Sequence, residues 1–213
     1  INWTEGAFIQ PKLDGIRCLA TISESGEETM KSRQGKNFQS LYGTVGHLQK
    51  ALRTCQYLRG CTVDGELFVK DMTFQEITKI VKKDRGESSR KVDFHIYDVV
   101  KDAPYADRYE FLKLSVPKAV EHIHLVNTIW PIHLQKDIPI MQAKFLKEGY
   151  EGTIIRHGDK PYKVKGRCDS LLKYKDFIDA EFEIIGVVPF EKYPTQGKFL
   201  CKTADGQTFE TGM

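Results

Sequence analysis

Apolar and polar positions alternate with period two through much of this chain, and stretches of helical spacing interrupt the alternation. Ile16–Ile22 and residues 61–69 and 92–100 read as strands, with Phe8-Ile9 entering a turn at 11–15. Gly26 marks a hairpin turn over 23–27. Helical spacing places Val45, Leu48 and Leu52 on one face of Thr44–Arg53, and Phe74, Ile77, Ile80 and Val81 on one face of a helix over about 73–83. The polar run Gly86–Lys91 reads as a loop, and Asp102-Ala103-Pro104 as a turn. Residues 107–114 and 116–122 read as helical, with Pro117 as a kink or a new first turn. Residues 125–132 read as one strand. Ile138, Met141, Phe145 and Leu146 line a helix that stops at Gly149. Strands follow at 153–156 and 170–174, then at 181–188, 198–202 and 207–211, the last three spaced by Gly- and Pro-containing turns.

The last three strands open a small β-barrel that the sequence does not close. A boundary falls in 175–180, giving a first domain at 1–178 and the start of a second at 179–213. The 213 residues suit that division and can bury a core without disulfides. No apolar run approaches the 18 or so residues of a membrane span, and no signal peptide is visible at the first residue. The expectation is an intracellular protein with no membrane partner. Cys18, Cys55, Cys61, Cys168 and Cys201 form no CxxC pairs, which argues against a disulfide framework or zinc knuckle and fits a reducing compartment. A net charge of +3 permits a nucleic-acid partner without implying one.

Candidate chemistry begins at Lys12-Leu13-Asp14-Gly15-Ile16-Arg17, between two strands. The four fixed letters of K-x-D-G-x-R arise by chance in about one chain in several hundred. Glycine lets backbone approach a ligand, and Asp and Arg bring opposite charges beside an amine. Further elements follow in order: Ser32-Arg33-Gln34-Gly35, Asp64-Gly65-Glu66, Phe94-His95-Ile96-Tyr97-Asp98, Glu151-Gly152-Thr153-Ile154-Ile155-Arg156, and Arg167 ahead of Leu171-Leu172-Lys173-Tyr174-Lys175.

This ordered set resembles the covalent nucleotidyltransferases, and within them the ATP-dependent polynucleotide (DNA) ligases of compact viral, phage or bacterial type. The resemblance implies an α+β fold: a nucleotidyltransferase (ATP-grasp-like) domain of two antiparallel sheets flanked by helices, followed by a partial OB-fold barrel. It implies that Lys12 attacks the α-phosphate of ATP and keeps AMP, which passes to the 5′-phosphate of a nick before a 3′-hydroxyl seals it. Asp14 would tune the lysine or serve in the later steps, and Lys173 and Lys175 would contact the α-phosphate. Arg17 and Glu66 would meet ribose or phosphate, and Tyr97 would stack on adenine. Glu151, with Glu66, would hold Mg²⁺ or Mn²⁺, for which carboxylate is a suitable hard ligand. Arg33 and Arg167 would hold the phosphates of nicked double-stranded DNA, and the enzyme would act as a monomer.

Two relatives of the same superfamily stay open: an mRNA capping guanylyltransferase and an RNA ligase. Glu151-Gly152, the closing Leu-Leu-Lys-Tyr-Lys strand and Arg17 favour the DNA-ligase pattern. An inactive homologue that only binds nucleotide or nicked DNA is a further alternative, and the barrel's basic C-terminal motif, which assists the first step in the family, is not seen. His122, His124 and His133 show no third ligand at metal spacing and read as structural. The basic positions in 160–167 read equally as a phosphate-contacting loop or a solvated one.

Overall fold

In this computed structural model, the described residues are 3–4, 6–38, 44–83, 86–164, 168–176, 180–193 and 195–212. The chain divides into two units, Ile1–Lys175 and Asp176–Met213. The first carries strands β1 (Ala7–Lys12), β2 (Ile16–Ile22), β3 (Glu28–Ser32), β4 (Thr62–Phe68), β5 (Asp93–Val99), β6 (Ile123–Leu125), β7 (Ile129–Ile132), β8 (Gly152–His157) and β9 (Leu171–Tyr174). Its helices are α1 (Thr44–Arg53), α2 (Phe74–Lys82), α3 (Tyr105–Ser115) and α4 (Asp137–Lys147).

Period-two alternation gives the larger sheet, β3-β2-β4-β5-β6, two unlike faces. Cys18, Ala20, Val63, Leu67, Phe94 and Ile96 are fully buried and pack against Leu48 and Leu52 of α1 and Ile77 of α2. The register places Arg17 opposite Glu66 and Glu66 opposite His95, so these share the other face. The second sheet, β7-β1-β8-β9, repeats the device: Ala7, Ile9 and Ile155 pack on Ile138 and Phe145 of α4. On its opposite face, Phe8 packs edge-on against Tyr105 of α3, with ring centroids 5.1 Å apart. Pairing is antiparallel throughout except β6, which runs parallel to β5.

Three expectations change. Residues 116–122 are not helical: α3 stops at Ser115, because Val116 precedes a proline and takes extended backbone. Residues 125–132 are not one strand. Ile123–Leu125 joins the larger sheet and Ile129–Ile132 pairs with β1 in the smaller, so the segment crosses between sheets. Gly86–Lys91 forms a 3-10 helix that buries Ser89, whose hydroxyl donates to the Ile80 carbonyl at 3.2 Å.

The second unit is an antiparallel meander of β10 (Glu183–Pro189), β11 (Gly197–Lys202) and β12 (Thr208–Gly212). Among the described residues it stays an open three-stranded sheet, with Ile184, Val187 and Phe209 exposed. No helix among the described residues is long and apolar enough to cross a membrane.

Candidate active site

Lys12 ends β1, and local turn chemistry brings Glu151 to it. Gly149 takes φ +87° after α4, its N–H donates to the Leu146 carbonyl, and the Tyr150 N–H reaches back to Phe145, each at 3.0 Å. This pair of bonds ends a helix and reverses the chain, and only glycine adopts the left-handed position without strain. Glu151 emerges from the reversal with its N–H on the Lys12 carbonyl at 2.9 Å, and its carboxylate pairs with Lys12 Nζ. Lys175 Nζ lies 3.6 Å from the other Glu151 oxygen. Lys173, across from Ile154 on β8, is on the face shared by Gln10 and Ile154.

The turn after Lys12 presses on β4 of the larger sheet. A Cβ at Gly15 would lie 2.4 Å from the Leu67 carbonyl oxygen, so glycine is needed for this approach. There Arg17 makes a two-pronged contact with Asp64, Nε and Nη2 donating at 2.9 and 2.7 Å. Tyr97 donates its hydroxyl to Asp64 at 3.0 Å, and Tyr162 does so at 2.7 Å. Tyr162 also accepts from Arg17 Nη2 at 3.1 Å. Hydrogen bonding to Asp64 raises the Arg17 pKa further, and burial followed by the Asp64 charge raises both phenols.

Glu66 reports the meeting of the two sheets. Burial, then the Asp64 carboxylate, push its carboxyl up from 4.5 to about 8, against the opposing fields of Lys12, Arg17 and Lys173. Two lysines from one sheet and an arginine from the other therefore act on one carboxyl. Near neutral pH this group carries its proton and can donate a hydrogen bond.

A buried ionic layer lies beside this cradle. Arg108 donates to both Asp98 oxygens, at 2.7 and 3.1 Å, and Arg156 donates to Asp98 Oδ2 at 2.8 Å. Arg156 Nε also donates to Gln10 at 2.9 Å, and Gln10 donates to Tyr105 and Thr128. The Arg156 guanidinium stands 5.4 Å from the Tyr97 ring centre, so this layer fixes the tyrosine.

The structure thus brings together Lys12, Arg17, Glu66, Tyr97, Glu151, Lys173 and Lys175. Asp14 and Arg33 are exposed on turns and, among the described residues, do not join the hydrogen-bonded set. Arg167 lies outside the described residues. Sequence reasoning missed Asp64 as the hub, with Tyr162, Asp98, Arg108 and Gln10. Asp64 and Asp98 stood inside recognised elements, but nothing local marked their partners. Chemically, the cradle offers an amine nucleophile beside a carboxylate, with cations placed to hold a polyanion and neutralise charge on an attacked phosphorus.

Comparison with known proteins adds a family. The family model described as ATP dependent DNA ligase domain matches residues 2–175. The DNA ligase of African swine fever virus is 26% identical over 221 residues, spanning 95% of this chain and 50% of that protein. The DNA ligase of Haemophilus influenzae is 29% identical over 213 residues, spanning 95% of this chain and 71% of that protein. A solved structure from work on DNA binding by Lig E DNA ligases superposes with a TM-score of 0.79 at 21% identity, covering 100% of this chain and 79% of that one. This likeness shows the fold, with the nucleotidyltransferase sheets followed by the beginning of the OB domain. The chain spans about half the length of the viral relative it matches.

Proposed function

This chain belongs to the ATP-dependent DNA ligase domain family, and from that premise we propose that it carries the adenylyltransferase centre of a ligase that seals nicked double-stranded DNA. The observation that carries the reading is the convergence of Lys12, Glu151, Lys173 and Lys175 from one sheet on Arg17 and Glu66 of the other.

Lys12 Nζ forms a bond to the α-phosphorus of ATP, the bond to the β-phosphate oxygen breaks, and pyrophosphate leaves; the lysine proton passes to solvent. The triphosphate draws Lys12 and Lys175 off Glu151, which frees the Glu151 oxygens. Those oxygens suit Mg²⁺, which as a hard ion would offset charge on the departing pyrophosphate. Glu66, holding its proton, serves a ribose oxygen better than a metal. Arg17 is kept by Asp64 at the nucleotide's edge, and Tyr97 lines the base side. The AMP then passes to a 5′-phosphate, the 3′-hydroxyl attacks that phosphate, and AMP departs. Arg33 and Arg167 are assigned to the DNA phosphates. The first unit is the adenylyltransferase and the second the start of the OB domain, acting as a monomer inside the cell. The closing strand Leu171-Leu172-Lys173-Tyr174-Lys175 lacks the Trp that capping enzymes usually carry in theirs, which favours the ligase over the capping reading.

Intact mass after incubation with ATP and Mg²⁺ tests this, with Lys12→Ala alongside. One AMP added to the wild type only is expected. Labelling by GTP instead would move the chain to the capping enzymes. Sealing of a nick that already carries 5′-AMP reads the last step separately. Failure of both assays would leave a binding-only homologue.

A further inference from the structure

Away from Lys12, β5 and β6 gather imidazoles around one carboxylate. Parallel pairing sets His95 beside His124, and Asp93 shares their face two residues earlier on β5. His124 Nε2 lies 3.2 Å from Asp93 Oδ2, and the His95 and His124 ring centres are 4.9 Å apart. One donor atom from each of Asp93, His95 and His124 falls within a sphere where all three lie within 4.8 Å of one another. His122 Nδ1 holds the remaining Asp93 oxygen at 2.8 Å, and the Phe68 ring backs His95 edge-on at 5.4 Å. The third ligand type comes from a strand about thirty residues upstream, which spacing among the later histidines could not show.

We propose that Asp93, His95 and His124 form a binding site for a divalent transition-metal ion of the zinc class, distinct from the site at Glu151. Two imidazoles and one carboxylate suit zinc and its neighbours, while Mg²⁺ prefers oxygen donors throughout. In the tetrahedral arrangement zinc adopts, ligand atoms about 2.0–2.1 Å from the ion lie about 3.4 Å apart, so donors up to 4.8 Å apart must draw in by up to about 1.4 Å. His124 is the exposed member and can supply that movement by side-chain rotation. His122 would orient the carboxylate through its other oxygen, the usual work of a group bonded to a metal ligand. The ion would clamp the parallel β5–β6 pairing. His95 is the cross-strand partner of Glu66, so the ion would lie on the cradle's own sheet face.

Calorimetric titration of chelator-stripped protein with Zn²⁺, in excess Mg²⁺ and without nucleotide or DNA, tests the site independently of the ligase reading. One Zn²⁺ per chain is expected. His124→Ala and Asp93→Asn should abolish that binding, and His122→Asn should weaken it by about 10- to 100-fold. Because His124 is exposed, its variant is expected to fold and decides the matter if Asp93→Asn does not. Co²⁺ in place of Zn²⁺ reads the donors by absorption, and no thiolate charge-transfer band should appear. Absence of saturable Zn²⁺ binding, binding unchanged in His124→Ala, or a thiolate band from the cysteines would each overturn the assignment.

Discussion

Replacing Glu66 with glutamine isolates the electrostatics of the cradle. In the folded chain burial and Asp64 raise this carboxyl from 4.5 to about 8. The unfolded chain releases the proton near about 4.3. Between those values the folded state binds a proton that the unfolded state has lost. The contribution is therefore fully present below the unfolded pKa, and stability falls as pH rises towards 8. At about 1.4 kcal/mol per pH unit, the loss across the window approaches on the order of 5 kcal/mol. Glutamine keeps the shape and hydrogen bonding but cannot ionise. Urea unfolding of both proteins from about pH 5 to about pH 9 gives the answer, because other titrating groups cancel in the difference. The stability difference should shift in favour of Glu66→Gln up to about pH 8 and then stay level. Parallel pH profiles would refute burial beside Asp64 as the cause.

Asp98→Asn should lower stability by about 3–5 kcal/mol in urea unfolding, since it removes the charge facing two buried guanidiniums. Gly15→Ala should cut AMP labelling by at least about tenfold in a chain that still folds, because the new Cβ meets the Leu67 carbonyl at 2.4 Å and moves the turn that carries Lys12. Unchanged labelling would mean the turn has slack. Tyr162→Phe removes one hydroxyl from Asp64 and leaves the Arg17 pair intact, so thermal unfolding should show a loss of about 0.5–1.5 kcal/mol.

The residues proposed to act on the nucleotide were legible because each stands in a short run with fixed spacing, and the runs come in a fixed order. Lys12, Glu66, Glu151, Lys173 and Lys175 all converge in the fold. What holds them was not legible. Tyr162 reaches Asp64 across 98 positions and Arg156 reaches Asp98 across 58, and neither contact leaves a local trace in composition or period. Period two found the strands but could not show that 125–132 leaves one sheet for the other, since both halves present apolar residues to a core. The helix assigned to 116–122 failed on a single residue, Pro117, whose effect on Val116 outweighed the apolar spacing.

The charge balance of the cradle follows from the same two faces. Lys12, Arg17, Lys173 and Lys175 supply four cations, and Asp64 and Glu151 answer with two carboxylates. Glu66 is the third carboxyl, and burial keeps it neutral near pH 7. An ionised Glu66 would bring the cradle closer to neutrality and repel a polyphosphate. Held neutral, it leaves an excess of positive charge where a triphosphate would lie and still presents a hydrogen-bond donor. Asp64 is spent on Arg17 and two phenols, so the carboxylate that remains available is Glu151, paired with Lys12, the proposed nucleophile. Binding a polyanion to the lysines and uncovering Lys12 are in this geometry one event, because the same ion pair must open for both.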